Sequence, residues 1–422
     1  MNKFWSVFKF PDLRKKILTV IGLLAAFRLL AAIPVPGIDP LRLQSFLSSN
    51  DLFGFLNLFS GGGLDNLSIM MLGVGPYITA SIIMQLLTIM FPALKKAYYE
   101  DGPTGRAKFT RLSRYLTVPL AFLQGYGFLN LLQSQGVLNP LSPMDMFGNV
   151  LVVTAGSVLL MWIGELISEY KLGNGVSLLI FAGIVSSIPK SIGLSLVNYN
   201  PSVLPTYLAF LAIALVVIAG VVMINEGERK LPVTYAKQVR GNKMFGGVST
   251  YLPLKVNQAG VIPIIFAISV LLFPQFLAQM STVFAPAISL KLTALVTSFF
   301  NNQILYSLVY FVLVVLFTYF YTAVTFDPQE IAKNLQRGGG FVPGIRPGQP
   351  TADMIQHLVG RITLFGAVFL GLIAILPNLT HLITGIQTLT LGGTALLIVV
   401  SVALEVMKQV SSQLSVREYE NG

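Results

Sequence analysis

The amino-acid sequence predicts an all-α polytopic membrane protein. Hydrophobic residues make up 54% of the chain and charged residues only 11%, and the mean hydropathy is +0.74. A soluble globular domain has about 45–50% apolar and about 25% charged residues. The apolar residues also fall in runs of about 20, which is the length of a membrane-spanning helix. A chain with so little polar surface does not fold in water, and we expect it to lie in a lipid bilayer.

Ten segments are apolar over enough residues to cross a bilayer, and we expect each to be a transmembrane helix. They are residues 17–33, 74–91, 113–132, 148–167, 176–195, 204–225, 259–277, 304–326, 362–378 and 391–409. The first follows a basic start, but its apolar run from about Ile17 to Ile33 is longer than the core of a signal peptide. We therefore expect it to be a retained span, with Arg28 extending toward the interface.

The distribution of basic residues predicts the orientation of the chain. An even number of spans places both termini on one side of the membrane. That side carries 24 of the 28 lysines and arginines, whereas the opposite side carries Arg42, Lys190 and Lys291. Basic residues are retained in the cytoplasm, so both termini are expected to be cytoplasmic.

The spans divide into two sets of five. We expect an N-terminal half at residues 17–195 and a C-terminal half at residues 204–409, flanked by cytoplasmic segments 1–16 and 410–422. Because each half has an odd number of spans, the two halves would have inverted topology.

Two cytoplasmic loops in the C-terminal half are long, at residues 226–258 and 327–361. The first alternates in polarity up to Gly241-Asn242, which predicts a β-hairpin that extends beyond the membrane surface. The second predicts a short helix from Pro328, followed by glycines and an ordered turn around Arg346. Both loops contain aromatic and β-branched residues, so neither is expected to be disordered.

The segment Gly61–Met71 is apolar but too short and too polar to be a span. It begins with three glycines, carries Asp65, and is followed by the helix-breaking Gly73–Pro76. Non-helical backbone at membrane depth must be surrounded by protein or line a cavity, so this segment is expected inside a helix bundle. It could block a central cavity, or it could be a re-entrant loop that only packs against the surrounding helices. The residues alone do not distinguish these two interpretations.

Isoleucines recur at i, i+4 in two spans, at Ile78 and Ile82 and again at Ile180 and Ile184. Such a pair shares one face of a helix. The ordinary interpretation is contact with lipid or core packing. The functional interpretation is a constriction that stops ions because an apolar pore does not stay wet. The spacing does not choose between them.

The chain lacks the residues of several enzyme and metal sites. It has no cysteine and two widely separated histidines, His357 and His381. It also lacks a phosphate loop of the form G-x-x-x-x-G-K-[ST], and it lacks the H-E-x-x-H and G-x-S-x-G motifs. We therefore expect no metal, no cofactor and no enzymatic activity.

Besides a channel, two other classes of protein are possible: a solute transporter with broken helices and an intramembrane enzyme. A transporter needs polar groups at mid-depth, but the acidic candidates lie near predicted cytoplasmic ends, at Glu165, Glu169 and Glu405.

Six separated stretches resemble the signatures of the bacterial SecY family, which forms the pore subunit of the Sec protein-conducting channel. They are IPVPGID, LFSGGGLDNLSIMMLGVGPYITASIIMQLL, GNGVSLLIFAGIVSSIP, STYLPLKVNQAGVIPIIFA, FDPQEIAKNLQRGGGFVPGIRPGQPT and LGGTALLIVVSV. The resemblance extends from about Leu13 to Val410. It implies two five-helix halves arranged as a clamshell around an hourglass pore, in the bacterial cytoplasmic membrane. The pore would conduct unfolded secretory polypeptides and release transmembrane segments laterally into lipid.

The resemblance also assigns site residues. A pore ring falls on Ile78, Ile82, Ile180, Ile184, Ile265 and Ile398. A plug half-helix falls on about residues 59–71 and includes Gly61, Gly62, Gly63, Leu64, Asp65, Asn66 and Leu67. A lateral gate for signal sequences falls between spans 74–91 and 259–277, with Gln85 and Asn257 as polar gate residues.

The resemblance implies partners that supply energy and complete the channel. These are the SecA motor ATPase, the ribosome, and the small membrane subunits SecE and SecG. Lys237, Arg240, Lys243 and Arg346 are the expected docking residues for SecA and for ribosomal RNA phosphates. Many relatives carry two adjacent basic residues at the hairpin tip, whereas this chain has Asn242-Lys243.

Overall fold

The computed structural model describes residues 10–36, 64, 67–91, 94, 102–134, 136–197, 204–235, 238–240, 243–245, 249–284, 286–384 and 392–420. The helices in this part of the chain are α1 (Pro11–Leu30), α2 (Gly75–Met90), α3 (Gly102–Ser134), α4 (Pro143–Glu169), α5 (Gly175–Val197), α6 (Leu204–Glu226), α7 (Ile262–Phe284), α8 (Pro286–Asn301), α9 (Gln303–Thr325), α10 (Pro328–Arg337), α11 (Gln349–Thr384) and α12 (Gly392–Glu420). The strands are β1 (Glu228–Tyr235), β2 (Gln238–Arg240), β3 (Lys243–Phe245), β4 (Ser249–Lys255) and β5 (Gly340–Phe341).

Each of the ten predicted spans coincides with a helix. Five stretches of helix are both long and apolar enough to cross a membrane, and they are Ala107–Gln133, Pro143–Glu169, Gln303–Arg337, Gln349–Leu379 and Ala395–Arg417. The all-α class is confirmed, while the number of ten spans stays a prediction. Helix α8 was not predicted, because Lys291 and several serines and threonines keep its hydropathy below that of a span.

The chain divides into two compact units. Unit 1 comprises Met1–Leu208, Ser269–Gln303 and Val402–Gly422, and unit 2 comprises Ala209–Ile268 and Ile304–Ser401. The boundaries fall within α6, α7 and α12 and after the first residue of α9, so these helices contribute residues to both units. The division into two consecutive halves, residues 17–195 and 204–409, stays a prediction.

In unit 1, helices α2, α3, α4 and α5 pack in sequence order. The α4–α5 connection is tight because Gly175 lies against Gly164. A Cβ on Gly175 would lie 1.8 Å from the Gly164 carbonyl oxygen, so only glycine permits this approach. Asn174 caps α5, since its Oδ1 accepts from the backbone N–H of Val176 at 3.0 Å and of Ser177 at 3.2 Å.

The start of α1 and the end of α12 lie at the same end of unit 1. Arg417 Nη1 donates to Asp12 Oδ2 at 3.0 Å, and Gln413 Nε2 donates to the carbonyl of Lys171 at 2.7 Å. The hydrogen bond from Arg417, and then its charge, lower the pKa of the Asp12 carboxyl. Because that pKa is lowered in the folded state, the contact stabilises the fold above the ordinary pKa of the carboxyl. Its contribution is lost as the pH falls through the lowered value.

In unit 2, the predicted hairpin is confirmed. Strands β1 and β4 pair antiparallel, and β2 and β3 continue the hairpin to the pair Arg240↔Lys243, which flanks Gly241-Asn242. The second loop joins the first, because β5 pairs with the opposite edge of β1 at Thr234↔Phe341 and Tyr235↔Gly340.

An apolar core holds the two loops together. Its buried members are Leu231, Leu254, Val342, Ile355 and Val359. The predicted helix from Pro328 is confirmed as α10. Asp327 caps it by accepting from the N–H of Gln329 at 2.8 Å and of Glu330 at 3.2 Å. The sheet, α10 and the start of α11 thus form one folded platform.

Candidate functional site

Four of the six predicted pore-ring isoleucines lie in unit 1. Ile78 and Ile82 are on α2, and Ile180 and Ile184 are on α5. Their side chains are between 1% and 5% exposed. Contact with lipid is therefore excluded for all four, and burial is compatible with either core packing or a closed constriction.

The other two predicted ring residues lie in unit 2. Ile265 is on α7 and is 4% exposed, and Ile398 is on α12 and is fully buried. On the next residue of α7, the ring of Phe266 meets that of Phe317 edge-on, with centroids 6.0 Å apart. Every predicted ring position is thus buried, while the meeting of all six in one ring stays a prediction.

The described end of the predicted plug is buried in unit 1. Leu64 and Leu67 are 2% and 0% exposed, and Ser68 pairs with Pro34 in an antiparallel bridge. The backbone N–H of Val35 donates to the carbonyl of Leu67 at 2.9 Å. This confirms that the described end of the segment faces protein rather than lipid.

Residues 67–74 form turns and the bridge, not a helix. Leu67 and Gly73 both have positive φ, at 40° and 57°, and these values interrupt helical hydrogen bonding. Of the predicted plug residues, Gly61, Gly62, Gly63, Asp65 and Asn66 lie outside the described residues, and the half-helix itself stays a prediction.

Two residues of α4, Gly156 and Ser157, contact the turns that follow the predicted plug, and we call this contact surface the seat. A Cβ on Gly156 would lie 2.1 Å from the carbonyl oxygen of Ile69, so that backbone packs directly on the helix. Ser157 Oγ donates to the carbonyl of Gly73 at 2.9 Å. Sequence reasoning missed both residues. The only sign of them is the run of small residues 155–157 in an otherwise bulky helix.

The two predicted gate residues each carry a buried acceptor without a donor among the described residues. These atoms are Gln85 Oε1 on α2 and Asn257 Oδ1 before α7. The amide nitrogen of Asn257 donates to Asn225 Oδ1 at 2.8 Å and to the carbonyl of Gly260 at 3.2 Å. A local backbone contact therefore accounts for part of Asn257, and its oxygen remains available.

Asn257 belongs to a longer polar relay that sequence reasoning missed. Asn225 Nδ2, at the end of α6, donates to Ser401 Oγ on α12 at 2.7 Å. The relay thus joins the end of α6, the segment that precedes α7, and α12 within unit 2. The only sign in the sequence is that Asn225 ends a long apolar run.

The predicted docking residue Arg346 is exposed on an ordered turn. The turn requires glycine at Gly344 and Gly348, whose φ values are 85° and 102°. The buried Thr351 donates its hydroxyl to the carbonyl of Arg346 at 2.8 Å. The backbone around Arg346 is therefore held in place while its side chain faces solvent.

The hairpin supplies the other predicted docking positions. Arg240 and Lys243 are paired across β2 and β3. Lys237 lies outside the described residues.

Buried apolar positions on several helices are compatible with core packing or with a closed channel constriction, whereas an ion-coupled carrier would need acidic groups at mid-depth. In the part of the chain that the structure describes, no cluster of histidine, aspartate and glutamate could hold a metal. The fold and the site together define a helical membrane protein with buried apolar positions on several helices.

Comparison with known proteins gives the family. The SecY family model matches residues 68–407. The protein translocase subunit SecY of Thermus thermophilus is 44% identical over 100% of this chain and 97% of its own length. The same subunit of Mycobacterium tuberculosis is 42% identical over 100% of this chain and 99% of its own length. The chain therefore belongs to the SecY family.

Solved structures agree on the fold. A structure of a protein-conducting channel matches with a TM-score of 0.67 at 21% identity, covering 93% of this chain and 90% of the other. A structure of SecY, whose plug domain stabilises the closed state of the translocation channel, matches with a TM-score of 0.65 at 21% identity, covering 93% and 91%. Sec61 in the canine ribosome–channel complex matches with a TM-score of 0.63 at 20% identity, covering 93% and 90%.

Proposed function

We propose that this chain is the central pore subunit of the protein translocation channel in a bacterial cytoplasmic membrane. It conducts unfolded secretory polypeptides across the membrane and releases transmembrane segments into lipid. It is a passive pore and not an enzyme. The observation that carries the proposal is that all six isoleucines expected at the constriction are buried, on four different helices.

The chemistry of an isoleucine ring suits a channel for unfolded chains. Apolar contacts are non-directional, so a ring of isoleucines closes around any passing side chain without preferring one sequence. Hydrogen-bonding groups at the same place would bind some sequences and keep the pore wet. The plug, at about residues 59–71, would complete the seal at rest. The seat that Gly156 and Ser157 form for the next residues supports that position.

The lateral gate would lie along α2 and α7, with Gln85 and Asn257 as its polar residues. Each carries a buried acceptor that lacks a donor among the described residues, and each amide also has N–H groups. A hydrogen bond within a membrane contributes about 0.6 kcal/mol. An inserting apolar signal sequence can displace a contact of that strength.

The energy for transport would come from partners that bind the cytoplasmic loops. SecA and the ribosome are the proposed partners, with Lys237, Arg240, Lys243 and Arg346 as contacts. Sec61, a structural neighbour, is known in a complex with the ribosome. Binding to RNA phosphates should weaken as the salt concentration rises. SecE and SecG are the proposed small membrane subunits.

We further propose ten spans, with two inverted halves and both termini in the cytoplasm. The contact between Arg417 and Asp12 supports an even number of spans, because it brings the start of α1 and the end of α12 to the same end of unit 1.

Cysteine crosslinking tests the pore, because the chain has no native cysteine. Ile82→Cys or Ile184→Cys would be combined with a secretory precursor that carries one cysteine and is stalled in membranes containing SecA and ATP. We expect a disulfide between the ring position and the translocating chain. Met223→Cys is the control, since Met223 is 77% exposed on α6. Equal crosslinking at position 223, or none at several ring positions while export is intact, would remove the pore assignment.

Charge reversal tests the docking turn. Arg346→Glu should reduce SecA-driven export at least several-fold, because a fixed cation is replaced by an anion, while the amount of channel in the membrane stays unchanged. Lys333→Glu is the control, because Lys333 is also exposed on the platform but lies on α10. Equal losses of export and of channel in the membrane would indicate misfolding and contradict the docking role.

A further inference from the structure

Three polar side chains form a relay within unit 2. Asn257 Nδ2 donates to Asn225 Oδ1 at 2.8 Å, and Asn225 Nδ2 donates to Ser401 Oγ at 2.7 Å. Asn257 is 7% exposed and Ser401 is 9% exposed. Burying polar groups among apolar helices is costly unless they are hydrogen-bonded. The relay buries two of its three polar groups beside the segment that leads into α7, and this cost suggests that it has a function.

The carbonyl of Gly260 identifies which atom of the Asn257 amide is the nitrogen. A backbone carbonyl only accepts hydrogen bonds, so the Asn257 atom 3.2 Å from it is the amide nitrogen. The second hydrogen of that nitrogen goes to Asn225 Oδ1. Both donors of Asn257 are used, and its Oδ1 is left as a buried acceptor to which no described residue donates.

We propose that Asn225 is a positioning residue for the lateral gate. It holds the Asn257 amide so that the oxygen, and not the nitrogen, is offered as the hydrogen-bonding atom of the gate. The suitable partner is a side chain that carries an N–H donor. This inference rests on the proposed gate function of Asn257.

The far end of the relay lies on α12, the helix that carries the predicted ring residue Ile398. Ser401 lies one turn after Ile398 on α12, and it accepts from the amide nitrogen of Asn225. That bond keeps Asn225 Oδ1 directed at Asn257. When Asn225 or its anchor is removed, only the 3.2 Å hydrogen bond to the Gly260 carbonyl holds the Asn257 amide, and the direction of its oxygen is less tightly fixed. The closed gate then loses one hydrogen bond, and a weaker signal sequence suffices to open it.

The test compares two precursors in proteoliposomes that contain the full channel complex, SecA and ATP. One precursor has an ordinary signal sequence, and the other has a signal sequence with a shortened apolar core. We expect Asn225→Leu and Asn257→Leu each to raise the export of the weak precursor relative to the strong one about threefold, the factor for one membrane hydrogen bond. The double variant should show no further increase, because Asn225 acts through Asn257.

Asn378→Leu is the matched control. It removes another buried amide of unit 2, whose nitrogen donates to Ser307 Oγ at 3.1 Å outside the relay. It should leave the ratio of the two precursors unchanged, as a merely structural loss would.

The outcomes separate the two claims. If Asn257→Leu raises the ratio and Asn225→Leu does not, or if the two effects add in the double variant, the positioning role is overturned and the gate remains. If Asn257→Leu leaves the ratio unchanged, the gate function itself fails. If Asn225→Leu does not accumulate in membranes, Ser401→Ala is used instead, because it removes the hydrogen bond that holds the Asn225 amide. An unchanged ratio of the two precursors in Ser401→Ala would then overturn the proposal.

Discussion

Gly156 occupies a place on α4 where no side chain fits, because a Cβ there would lie 2.1 Å from the carbonyl oxygen of Ile69. The adjacent Ser157 binds the carbonyl of Gly73. The missing side chain of Gly156 and the hydroxyl of Ser157 thus hold the backbone that follows the proposed plug against α4. Neither residue stands out in the sequence, since small residues are common in membrane helices for many packing reasons.

Gly156→Ala should displace Ile69 and loosen this seat. We expect a loss of about 1–3 kcal/mol in the free energy of unfolding, the usual cost of overpacking. Thermal unfolding of the detergent-solubilised complex would measure the change. Gly148→Ala on the same helix is the control, because no other atom among the described residues lies within 4 Å of its Cβ position beyond the local helix backbone. Similar stabilities for the two variants would show that the seat is not as tight as the distance implies.

The linker between β4 and α7 connects the platform to the proposed gate helix. It contains Val256 and Asn257, and the N–H of Val256 donates to the carbonyl of Gly227 at 2.9 Å. On its other side, α11 approaches so closely that a Cβ on Gly366 would lie 2.8 Å from the carbonyl oxygen of Val256. The linker is therefore held between the end of α6 and the middle of α11, directly beside the polar relay.

Gly366→Ala should push this linker and disturb the neighbouring Asn257. We expect the export of a precursor with a weakened signal sequence to change relative to one with an ordinary signal sequence, since the gate residue moves with the linker. Gly360→Ala on the same helix provides the comparison, because its Cβ would contact no other part of the described chain within 4 Å. An unchanged ratio in Gly366→Ala would argue that the linker position does not influence the gate.

The helices were the most predictable elements. Within a bilayer the backbone must satisfy its own hydrogen bonds, so a long apolar run leaves helix as the available structure. Helix α8 escaped prediction because it is short and partly polar. The pairing of β5 with β1 escaped because it joins strands about a hundred residues apart. The hairpin was predictable because Gly241-Asn242 and the alternating strands lie together in the sequence.

The six isoleucines are proposed to act together, as one seal across the channel. Their burial in separate helices was not predictable from spacing, since an isoleucine pair at i, i+4 serves equally well against lipid. The family resemblance supplied the choice, and the burial of all six positions agrees with it.

Replacing several ring isoleucines, such as Ile82, Ile184 and Ile398, by serine should raise the resting ion conductance of the channel. Serine hydroxyls would keep the constriction wet, so ions would no longer be held back. Planar-bilayer recordings measure this directly. Serine at the exposed positions Val216 and Met223 should leave the conductance at background. Background conductance in the ring variant would contradict the seal.

Local chemistry along the chain suffices to establish the membrane class, the helices, the hairpin and the cap of α10. Each of these depends on neighbouring residues, through hydropathy, glycine turns or an aspartate beside backbone N–H groups. The seat on Gly156, the joining of the two long loops and the relay from Asn257 to Ser401 required the folded chain. Asn225 and Ser401 are 176 positions apart, and a hydrogen bond over that separation leaves no local pattern from which it could be inferred.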